Sequence, residues 1–219
     1  MDIFNYHPTT NEYMSTELAE LDPLAGEPLI PAHATSVSVI PAPTGYVPVF
    51  DGTTWNAVED NRGIVYDTTT AVQSEHLDLG PLPAELTKVS PPELTSWDGN
   101  AWVDDIASIR TNQKSIIATS FDDDLSAGFT TSNAIKMNAT YGDVMRLDAG
   151  VRLAESLSQI NIDVRTFDNV TQTVLTTDAK TMVNEIGTNY QTALQQKWAL
   201  NDQIDTASTR TDVELVVWV

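Results

Sequence analysis

The chain has 219 residues, 41% of them hydrophobic and only 19% charged, and it contains no cysteine. This is enough for one large or two small domains with real cores, and it excludes a disulfide framework or a thiolate metal site. Thirty-one acidic residues against 11 basic ones give a net charge of −20, which opposes binding to phosphate backbones and to anionic lipid.

No apolar run approaches the roughly 20 residues of a membrane span, so neither a nucleic-acid partner nor membrane insertion is expected. Met1-Asp-Ile-Phe-Asn-Tyr6 has no basic segment leading into an apolar one, so no signal peptide is expected and synthesis falls to a cytoplasm.

Residues 1–45 read as an extended, Pro-rich arm. Ile3, Phe4 and Tyr6 form a small apolar group at its start, a candidate anchor for a partner protein. The prolines that follow (Pro8, Pro23, Pro28, Pro31, Pro41, Pro43) rule out helix interiors, because each removes a donor and clashes with the preceding turn. All eleven prolines lie at or before Pro92, which divides a Pro-rich half from a Pro-free one.

Residues 46–103 read as a β-hairpin module. Val47 to Phe50 and Trp55 to Val58 flank Asp51-Gly52, which predicts a type I′ turn. The same unit returns at Trp97-Asp-Gly-Asn-Ala-Trp102 with identical spacing. Trp55, Trp97 and Trp102 are either cross-strand structural contacts or candidate surfaces for stacking a glycan. Arg62, set between acids and Gly63, is either clamped by Glu59 or Asp60 or free to take a partner's carboxylate.

From Asp104 the apolar period becomes helical. Ile106, Ile109, Gln113, Ile116, Ile117 and Phe121 predict a helix that ends at Asp122-Asp-Asp124 and Gly128. A strand is predicted over 129–140, a second helix from Asp143, and a hairpin around Asp168-Asn169. A long helix should run from Ala179 to about Thr206 with Met182, Ile186, Tyr190, Leu194 and Trp198 inward, and a closing strand over 212–219. Residues 104–219 are therefore expected to form a compact α+β domain, and the whole chain to be α+β with a long C-terminal helix.

No catalytic constellation emerges. His7, His33 and His76 have no metal-ligand spacing, no phosphate-binding or nucleophile-elbow motif occurs, and Asp122-Asp-Asp124 lacks the alternation of an EF-hand loop. Neither an enzyme nor a cofactor or metal site is expected.

The first half resembles the N-terminal region of bacteriophage tail-fibre assembly proteins. The residues that carry this are Asp22-Pro-Leu24, Ile30-Pro-Ala-His-Ala-Thr35, Val49-Phe-Asp-Gly-Thr-Thr-Trp55 and Val58-Glu-Asp-Asn-Arg-Gly-Ile-Val-Tyr-Asp67. Asn61 stands where that family commonly has His. The second half is similar to an uncharacterised C-terminal domain of phage tail-fibre and fibre-assembly proteins. The resemblance implies a non-enzymatic tail protein, made in the host cytoplasm and carried on the virion tail, that binds tail-fibre or baseplate proteins through its arm. The alternatives are an assembly chaperone that does not stay on the particle and a host-surface carbohydrate-binding adhesin. Self-association into a homo-oligomer is compatible with each.

Overall fold

The structure, a computed structural model, describes residues 1–219. It is an α+β molecule of two compact units, Met1–Val103 and Asp104–Val219. Residues 1–45 are not a separate arm. Strand β1 (Asp2–Tyr6) lies in the middle of a three-stranded sheet, antiparallel to β2 (Tyr13–Leu18) on one side and to β3 (Ala34–Thr35) on the other. Consecutive side chains of a strand point to opposite faces, and on this central strand both faces are covered: Ile3 is 3% and Phe4 9% exposed. Hairpin β4 (Tyr46–Phe50) and β5 (Trp55–Glu59) then supplies Phe50 and Trp55, which pack on Phe4 with Tyr6, Tyr13 and Val39 around them.

The remainder of this unit repeats the plan. Strand β6 (Gly63–Asp67) lies between β7 (Gln73–His76) and β8 (Leu86–Thr87), and a hairpin of β9 (Thr95–Trp97) and β10 (Trp102–Asp104) follows. The correspondence reaches individual bonds. Trp55 Nε1 donates to Val37 O and Trp102 Nε1 to Val89 O, both at 2.9 Å. Thr35 Oγ1 accepts from Val37 N and Thr87 Oγ1 from Val89 N, both at 3.2 Å. Beneath this lies a second repeated string, Pro31-Ala-His-Ala-Thr-Ser-Val37 against Pro83-Ala-Glu-Leu-Thr-Lys-Val89. The unit is thus two copies of one five-stranded module.

The predicted type I′ turn is replaced by a four-residue loop, Asp51 to Thr54, in which only Gly52 has positive φ (+98°). The Asp51 carboxylate accepts from Thr53 N and Thr54 N, both at 2.8 Å, and Asp98 accepts from Asn100 N and Ala101 N at 2.8 Å. Asp22 and Asp67 hold their turns in the same way. These backbone donors keep all four carboxyls below the usual carboxylate range, Thr54 N contributing most at Asp51 and Ala101 N most at Asp98. A group depressed on folding stabilises above its unfolded pKa, and that contribution is lost as pH falls through the folded value. The contribution of these four turns is therefore expected to be complete above about pH 4 and to fall away below it. Urea titrations at pH 7, 4 and 2.5 check this, and a flat midpoint across that range would contradict it.

In the second unit α1 (Ile106–Ser126) begins at Asp105, whose carboxylate accepts from Ala107 N and Ser108 N. It does not end at the aspartates. Phe121 and Leu125 continue the buried i, i+4 stripe, and Asp122 to Asp124 face water between them. The predicted strand over 129–140 is instead two short strands, β11 (Phe129–Thr130) and β12 (Lys136–Met137), joined by a turn. Helix α2 (Tyr141–Ser156) opens on a capping box of Thr140 with Asp143.

Hairpin β13 (Asn161–Arg165) and β14 (Thr171–Leu175) leads into the 31-residue α3 (Thr176–Thr206). Met137, Ala139, Val151, Val164, Ala179, Met182 and Ile186 form one core cluster, and Phe121, Leu125 and Ala193 form another. The predicted last strand is absent. Thr209 caps Asp212 N and starts a short helix, α4 (Arg210–Glu214), after which Trp218 packs edge-on against Phe121. Trp198, expected inward, is 56% exposed.

Candidate interaction sites

The Glu59-Asp-Asn-Arg-Gly63 segment joins the two modules and acts as a clasp. Arg62 forms a fork on Asp60, with Nε to Oδ1 and Nη2 to Oδ2 both 2.8 Å, and its Nη2 also meets Glu12 Oε1 at 2.8 Å in the first module. Asn61 Nδ2 reaches forward to Gly80 O at 2.8 Å in the second module, and Gly80 N donates to Glu59 O at 2.9 Å. Lys88 Nζ donates to Asp60 O at 3.2 Å. Arg62 and Lys88 are the only Arg and Lys residues before residue 104, so both permanent cations of this unit are spent on its internal joint.

Arg62 was a candidate for a partner's carboxylate, but its fork is already filled from within. The guanidinium, above all through its hydrogen bonds, lowers the Asp60 carboxyl to about 2, and Asp60 and Glu12 raise the pKa of Arg62 in turn. The Arg62 side chain is 35% exposed, so solvent screens the pair and Arg62→Ala is expected to lower the urea midpoint at pH 7 only slightly. A drop as large as that from truncating a core side chain would point to a fully desolvated joint.

Ile3 and Phe4 are buried in their own module and cannot anchor a partner. Tyr6 is half-buried, with ring centroids 5.2 Å from Phe50 and 5.9 Å from His33. Trp55 is 4% exposed and has its indole donor bound, so it offers no stacking face. Trp97 and Trp102 remain half-buried, their centroids 5.3 Å apart and their planes crossing at 68°. The structure thus keeps these two apart from the buried Trp55, although the sequence unit is the same. The clasp partners Glu12, Gly80 and Lys88 carry no local signal, since each lies 19 or more residues from the residue it meets apart from the joint's own short contacts.

In the second unit an open groove of about 730 Å³ runs between α2 and α3, with Tyr141, Val144, Met145, Gly187, Tyr190 and Gln195 among its walls. A smaller cavity of about 320 Å³ lies beside β13, with Asp143, Arg146, Asp163 and Arg165 among its lining residues. No group of three or more His, Asp or Glu side chains is placed to hold a metal ion. His7 accepts from Thr9 N and Thr10 N within its own turn. No helix is long and apolar enough to cross a membrane.

Comparison with known proteins adds no relative: no protein-family model, no curated protein and no solved structure matches the chain.

Proposed function

We propose that the chain is a non-enzymatic bacteriophage tail protein that binds tail-fibre or baseplate proteins and stays on the virion tail. The observation that carries this reading is the role of Val58 to Asp67. The stretch with the strongest likeness to tail-fibre assembly proteins is the one that clasps the two modules, so the likeness falls on residues the architecture depends on. A binding role also accords with the exposed aromatic and apolar side chains of the second unit, Tyr141, Met145 and Trp198.

The anchoring role belongs elsewhere than the N-terminus, because Ile3 and Phe4 are core residues. Support for residence on the particle over a chaperone's transient contact comes from the second folded unit, which adds a surface for attachment or display. Mass spectrometry of salt-washed particles of the source phage, run beside infected lysate, separates the two. Fixed stoichiometry in particles is expected. Presence in lysate with absence from particles would make the protein a chaperone, and absence from both would remove it from the tail.

A further inference from the structure

The duplicated module shows what its tryptophan site takes. In the first copy Trp55 is sealed by two rings from the preceding hairpin, Tyr6 and Tyr13, which meet it edge-on at 6.4 and 5.9 Å, and by Phe50 of its own hairpin at 5.2 Å. In the second copy the turn-flanking pair Tyr6 and Tyr13 becomes Tyr66 and Gln73, and no ring from that hairpin meets Trp102. The Trp97–Trp102 pair is therefore only half covered. An edge-to-face pair occupies one face of one ring, and the part of the two indoles that stays exposed is what a ligand can meet.

Charge decides which ligand. Before residue 104 the chain carries fifteen acidic residues, and its two cations are both consumed at the clasp. Residues 89–103 hold Glu93 and Asp98 and no base. An aromatic face in such a field favours a cation over an anion or a neutral group. The second unit already uses this contact internally, with Lys136 Nζ 4.0 Å from the Phe167 ring centroid and Lys197 Nζ 4.5 Å from that of Phe121. A sugar fits less well, because the two rings cross at 68° and Trp102 Nε1 is committed to Val89 O.

We propose that the Trp97–Trp102 face of the second module docks an arginine-bearing segment of a partner polypeptide, with a guanidinium stacked on an indole. That the partner is a tail protein rests on the function proposed above; the chemistry of the site does not. The probe is an acetylated, amidated Gly-Arg-Gly-Arg-Gly-Arg-Gly peptide, titrated into the full chain at 0.15 M salt, with glutamine in place of arginine as control. Indole NMR signals and affinity are both read.

The expected result is a shift of the Trp97 signal, binding at least tenfold weaker in Trp97→Ala, and a loss below threefold in Trp97→Phe. Equal binding by wild type and Trp97→Ala would reduce the effect to general charge attraction and overturn the proposal. So would an unmoved Trp97 signal, which decides the matter even if Trp97→Ala fails to fold. Saturable binding of an N-acetylglucosamine hexamer in place of the peptide would overturn it in favour of a glycan site. Loss of the phage assignment alone would leave the peptide result unchanged.

Discussion

A chain lacking residues 1–12 is expected to lose the fold of its first module while residues 104–219 stay structured. The truncation removes β1, the middle strand of its sheet, so β2 and β3 lose their shared partner. Ile3 and Phe4 go with it, and burying two such side chains is worth roughly 3–6 kcal/mol. Glu12, the first module's hold on Arg62, is lost as well. Whole domains are stable by only about 5–15 kcal/mol, so the loss approaches the total. Near-UV circular dichroism and limited proteolysis should show an unfolded first module and a resistant fragment that retains residues 104–219. A truncated protein with Trp55 still buried and one cooperative transition would mean that the first strand is dispensable after all.

Gly128→Ala should be the most damaging single-methyl change in the second unit. Gly128 follows α1 with φ +77°, a region L side chains enter at a cost of roughly 1–2 kcal/mol. A Cβ there would lie 2.5 Å from Phe167 Cδ2 and 2.8 Å from Met137 O. The backbone oxygen is fixed by its hairpin, and overpacking of this kind adds about 1–3 kcal/mol. A total near 2–5 kcal/mol is expected as a lower urea midpoint. Gly99→Ala is the control: φ is +106°, but nothing lies within 4 Å, so strain acts alone. Equal losses in the two variants would show that the Phe167 contact gives way freely.

Local chemistry made some of this legible and distance hid the rest. The hairpin over 161–175 and the long helix could be read because alternation and helical period are written into adjacent residues. The Trp-anchored loops were visible as a repeat, but their turn type was not, since the Asp51 side chain replaces a second residue of positive φ. Ile3-Phe-Asn-Tyr6 reads equally as a loose end or a central strand; Phe50 and Trp55, which decide it, come some fifty residues later. Asp122-Asp-Asp124 looks like a stop, yet a helix tolerates three acids wherever they fall between buried turns. Leu-Val-Val-Trp-Val at residues 215–219 has strand composition, but the Thr209 and Asp212 cap commits the preceding residues to a helical turn. The Pro-Ala-x-x-Thr-x-Val string was a usable signal for the larger duplication.

Because the first unit is one module used twice, its unfolding should follow the arithmetic of a two-link chain: an intrinsic term for each link and one coupling term between them. Weaken the coupling and a single sigmoid should split in two, the aromatic-rich link melting last. Such a chain is also open-ended in principle. A third link spliced in at Gly63 would meet the same geometry on both sides, which makes this joint a natural place to vary reach without redesigning either neighbour.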